Sequence, residues 1–63
     1  MRARQALDLY RVTARSFAAG FVVCGDTVVE AAPIIQRRTL GRLLTDALRL
    51  LQDTHCEVEK VSP

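Results

Sequence analysis

The segment from Phe17 to Ile35, FAAGFVVCGDTVVEAAPII, constrains this chain more than any other. Branched and small apolar residues on both sides of Gly25-Asp26 predict an antiparallel hairpin that is apolar on both faces. Such a hairpin is not stable alone in water, so whatever covers it decides the fold. The chain has 63 residues, enough for one small core that buries only about 60% of the unfolded surface. Binding or oligomerisation is the ordinary remedy for so small a core.

Within the segment, one strand is expected from about Phe17 to Cys24 and the next from Thr27 to about Ala31. Gly25 suits the first position of a II′ turn, because glycine adopts φ > 0 without steric penalty. An unbroken register sets Val23 opposite Val28, Val22 opposite Val29 and Phe21 opposite Glu30. Phe21, Val23 and Val28 then share one face with Glu30 at its margin, and Val22, Val29, Ala31 and Cys24 share the other. Gly20 permits a bulge or the close approach of another backbone, and Pro33 ends the ladder near Ala32. Upstream, LYRVT predicts a first strand over roughly Leu9 to Thr13, after a frayed end at about 1–6.

Leu40, Leu43, Leu44, Ala47, Leu48 and Leu51 recur with helical spacing and predict one amphipathic helix over about 40–53, with Thr39 as its N-cap. Arg42 with Asp46 and Arg49 with Asp53 are i,i+4 pairs on its solvent side. On this reading Arg37, Arg38 and Arg42 crowd the positive end of the helix dipole. That cost asks for a solvated face, an acidic partner or a phosphate. After Asp53, THCEVEKV supports either a short edge strand or a tail, with a frayed end at about 60–63. The expectation is a single α+β domain over 1–63: a small antiparallel sheet of two to four strands (hairpin 17–31) packed on one C-terminal amphipathic helix.

One helix covers one face of a small sheet. The Val22 and Val29 face is left to the amino-terminal segment through Leu7 and Leu9, to a second subunit, to a foreign protein, or to simple tolerance of scattered exposed valines. Val22, Val29, Arg37, Arg38 and Arg42 are therefore the candidate partner-binding residues. Charge divides unevenly: residues 1–42 hold seven arginines against Asp8, Asp26 and Glu30, whereas residues 43–63 hold Arg49 and Lys60 against Asp46, Asp53, Glu57 and Glu59. A basic end and an acidic end steer encounters or favour head-to-tail association.

Contact with nucleic acid through the arginines is a third reading, weakened by a net charge of only +2 and by the lack of a recognisable binding motif. Two Phe, one Tyr and no Trp argue against a base-stacking platform. Neighbours His55, Cys56 and Glu57 have the residue types of a nucleophilic site, but adjacent strand residues point to opposite faces. No catalytic residue is expected, and the chain reads as a non-enzyme. Cys24, His55 and Cys56 are one ligand short of a structural zinc site, so no metal, cofactor or small molecule is expected. No apolar run reaches the length of a membrane span. Without a leader pattern a cytoplasmic location with reduced thiols follows.

The stretch from Tyr10 to Gly41 resembles small accessory proteins of phages and prophages, especially actinobacterial ones, whose activity is mostly unassigned. The resemblance lies in Tyr10, Val12-Thr13, Phe17-Ala18-Ala19-Gly20, Gly25, Val28-Val29, Ala31-Ala32-Pro33-Ile34 and Gly41. Gln36-Arg37-Arg38 departs from the pattern, which often has tryptophan or another apolar residue there. The resemblance implies a mobile-element setting and a protein that occupies a surface of host machinery. An inhibitor of a bacterial defence complex, such as a CRISPR effector, fits that setting.

Overall fold

The computed structural model describes residues 7–61, so the frayed end expected at 1–6 and residues 62–63 of the other lie outside the described residues. Three strands come first, β1 (Leu7–Thr13), β2 (Ala18–Cys24) and β3 (Thr27–Ala31), and a short 3-10 turn (Pro33–Ile35) follows. Two helices, α1 (Gln36–Thr39) and α2 (Leu44–Asp53), then lead to β4 (Glu57–Lys60). The strands form one antiparallel sheet in the order β3-β2-β1-β4. The fold is a small α+β domain with both helices on one side of the sheet.

The β2–β3 turn follows its sequence signal, with φ +68° at Gly25 and no positive φ at Asp26, the sign pattern of a II′ turn. Beyond Val23–Val28 the expected register fails. It shifts by one between Val22 and Val23, so that Val22 faces Glu30 and Phe21 faces Ala31, and Val29 becomes the extra residue of a β-bulge. The bulge turns Ala31 toward the core and leaves Glu30 on the Val22 face, the reverse of the unbroken alternation. Gly20 lies in regular pairing opposite Arg11, and its role is close approach: a Cβ there would stand 3.3 Å from the Tyr10 carbonyl oxygen.

The expected single helix over 40–53 is two helices. Gly41 takes φ +80°, which ends α1 in the left-handed conformation that favours glycine. Residues 40–43 form a turn instead, which brings Leu43 into an isolated bridge with Thr27. The Gly41 N–H donates to the Val28 oxygen and the Val28 N–H to the Arg42 oxygen, both at 2.9 Å. This short segment covers part of the outer edge of β3, and edge backbone groups gain partners by it. Leu43, not Thr39, is the N-cap of α2, and the first helical N–H, of Leu44, donates to the Asp26 oxygen at 2.7 Å. Thr39 is fully buried, with its hydroxyl donating to the Ile35 carbonyl at 2.7 Å. Arg42 precedes α2, so it forms no helical i,i+4 pair with Asp46.

The core consists of Val12, Phe21, Val23, Val28, Ile35, Ala47, Leu51 and Cys56. Of the leucine stripe, Leu51 is fully buried and Leu44 and Leu48 half-buried, while Leu40 and Leu43 are 44% and 49% exposed. The break at Gly41 takes those two off the helix face that meets the sheet.

The end of α2 is a Schellman motif. The Cys56 N–H donates to the Leu51 oxygen at 3.1 Å and the His55 N–H to the Gln52 oxygen at 3.0 Å. His55 holds φ +62°, and the buried pair Leu51 and Cys56 supplies the accompanying apolar contact. His55 thus belongs to this turn and not to the last strand. That strand runs through Lys60, and the Val61 N–H donates to the Leu9 oxygen at 2.8 Å.

Candidate interaction surface

Strand alternation divides the sheet into two faces. Toward the helices point Tyr10, Val12, Phe21, Val23 and Val58. The outer face takes the alternate residues: Leu7, Leu9, Arg11 and Thr13 of β1, Ala18, Gly20, Val22 and Cys24 of β2, Glu30 of β3, and Glu57 and Glu59 of β4. No described element covers this face. Leu7 and Leu9 lie in the sheet beside Cys24 and Val22, so they widen the apolar surface that they were one candidate to cover.

Val22 is half-buried at the centre of this face, and Val29 is 45% exposed at the bulge. The two are not cross-strand partners. Leu7, Leu9 and Val61 are also exposed. Around Gly20, which contributes no side chain, lie two shallow depressions. One of about 340 Å³ is bounded by Leu9, Gly20, Val22, Glu30 and Ala32, and one of about 200 Å³ by Leu9, Arg11, Gly20 and Val61. Among the described residues the charge on the face is one-sided, with Glu30, Glu57 and Glu59 against Arg11.

The three predicted arginines form a second surface. Arg37 and Arg38 lie in the last turn of α1 and Arg42 in the segment after it, all exposed. The Arg42 Nη2 donates to the Arg37 carbonyl at 3.3 Å. Because α1 is a single turn that ends before Gly41, its first turn is also its last, and Arg37 and Arg38 are not placed against the positive end of a longer helix. The dipole conflict expected from a helix starting near residue 40 is lifted for Arg37 and Arg38, whereas Arg42 still precedes the N-cap of α2, Leu43, at that helix's positive end. Ile34, Leu40 and Leu43 are exposed in the same part of the chain. Gly41 is the sequence signal for this patch, since a glycine directly after the first residue of an apolar stripe is also a helix stop.

Among the described residues the one ion pair is Lys60 with Asp8, 3.8 Å apart, and no group of three or more His, Cys, Asp or Glu is placed to hold a metal. Cys56 is buried with its Sγ 3.4 Å from the Thr54 Oγ1, whereas His55 is exposed beside a cleft of about 630 Å³ that Arg15, Ser16 and Phe17 also line. Cys56 is a reduced thiol. None of the described helices is long and apolar enough to cross a membrane. Comparison with protein-family models, curated proteins and solved structures found no match.

Proposed function

We propose that this protein is a non-enzymatic protein-binding module whose contact surface is the helix-free face of the sheet, centred on Leu9 and Val22. The observation that carries the reading is the grouping of exposed Leu7, Leu9, Val29 and Val61 around half-buried Val22 on the uncovered side of a four-stranded sheet. Contiguous apolar surface on so small a domain marks an interaction site more often than scattered single residues do. The notch at Gly20 supports the same reading, since it offers a place for a partner's side chain.

A host protein complex is one occupant of such a surface. Inhibition of a bacterial defence complex is the activity that the mobile-element setting would give it. The test is binding of purified defence effectors, CRISPR complexes first, to wild-type protein and to Leu9→Lys and Val22→Lys. The reading expects binding by the wild type and at least tenfold weaker binding by each variant. Equal binding by all three proteins would move the contact off this face.

A further inference from the structure

We infer that this chain associates head to tail with copies of itself, the arginine-bearing end of one copy docking on the helix-free face of the next. The inference rests on the reading of that face as a protein-binding surface and names a second copy as its partner.

The two surfaces match in chemistry. Among the described residues the face is apolar at its centre and carries Glu30, Glu57 and Glu59 against Arg11. The arginine end carries Arg37, Arg38 and Arg42 among exposed Ile34, Leu40 and Leu43. None of these charges is paired with an opposite one among the described residues, where the one ion pair is Lys60 with Asp8. Complementary potentials of this kind select partner and orientation. The surfaces also belong to opposite sides of the molecule. Helix α1 is seated on the inner side, where Ile35 and Thr39 are buried, so one copy cannot satisfy both surfaces by itself.

Other modes of self-association are opposed by the same residues. Stacking two outer faces sets three carboxylates of one copy against three of the other. Pairing of β4 with β4 keeps directly opposed residues on the same sheet face, which sets Glu57 against Glu59 or Glu59 against itself, and like charges so placed are destabilising. The edge of β3 is partly covered by residues 41–44 and interrupted by the bulge at Val29. A contact between two different patches is heterologous and grows into open chains or rings. The face is about 400 Å², from four strands about 4.8 Å apart and roughly six residues long. That places the contact in the weak class, with assembly that depends on concentration.

Sedimentation velocity on nuclease-treated protein tests the inference. The average mass should rise with protein concentration at low salt and return to that of the monomer at high salt. Leu9→Lys with Val22→Lys removes one surface, and Arg37→Glu with Arg38→Glu removes the other. Each double variant should be a monomer that unfolds at a wild-type temperature by circular dichroism. Their equimolar mixture should form a dimer and nothing larger, since each keeps one intact surface. A wild type that stays monomeric at every concentration overturns head-to-tail association, and leaves the protein-binding reading standing if effectors still bind through Leu9 and Val22. Assembly lost in the face variant but kept in the arginine variant also overturns it, in favour of face-to-face stacking. Assembly that survives both lysines overturns the inference and the reading beneath it.

Discussion

Tyr10 and Phe21 lie directly opposite on β1 and β2, with ring centroids 5.2 Å apart and planes inclined by only 3°. This stacked pair joins the two central strands on the helix-bearing side, and Phe21 is almost fully buried. Phe21→Ala should lower the unfolding free energy by about 3–5 kcal/mol, the usual cost of removing a buried phenyl ring. A double-mutant cycle with Tyr10→Ala should give a coupling of about 0.5–1.5 kcal/mol, read by urea titration. A coupling near zero would reduce the stacking to two independent burials.

The β-bulge separates neighbours of the same residue type. Val28 is 1% exposed and Val29 45% exposed. Val29→Lys should change stability by less than about 0.5 kcal/mol, as surface substitutions do. Val28→Lys buries an unpaired charge in the core and should abolish cooperative unfolding. Far-ultraviolet circular dichroism melts of the two variants check this register.

His55 ends α2 in the left-handed conformation without being glycine. The cost for an L-residue there is about 1 kcal/mol. His55→Gly should therefore raise stability by about 0.5–1 kcal/mol despite the entropy that glycine adds to the unfolded chain. His55→Ala should not. Denaturant midpoints of the three proteins check the effect, and a gain in the alanine variant would contradict it.

Gly41 has open space around its Cα, with no neighbouring atom within 4 Å of where a Cβ would stand, but it holds φ +80°. Gly41→Ala should thus cost about 1 kcal/mol through backbone conformation and not through collision. Gly20→Ala would instead press its Cβ to 3.3 Å from the Tyr10 oxygen. Thermal unfolding of Gly41→Ala beside Gly41→Asn separates the causes, since asparagine tolerates the left-handed region and should recover part of the loss.

Much of the fold was legible in residue order. Gly25-Asp26 fixed the turn, and β-rich runs marked three strands. Leu44, Ala47, Leu48 and Leu51 carried the part of the stripe that faces the core. Val22 was placed correctly on the uncovered side. The sequence pattern misassigned Leu40 and Leu43 because the stripe crosses Gly41 without changing period, and helical spacing alone does not say which signal prevails.

Amino-acid order by itself determined the local preferences: a hairpin around Gly25, a helix through Leu51 and an excess of apolar surface for a chain of this length. Tertiary structure alone decided where those preferences stop. The Val29 bulge resets the pairing of β2 with β3, and the Gly41 break accompanies pairing of residues 41–44 with the edge of β3, a contact between segments distant in sequence. Backbone groups at that edge need partners, and supplying them outweighs continuing one more helical turn. The same choice places Leu40 and Leu43 beside the arginines and leaves Leu9 and Val22 open on the other side of the sheet.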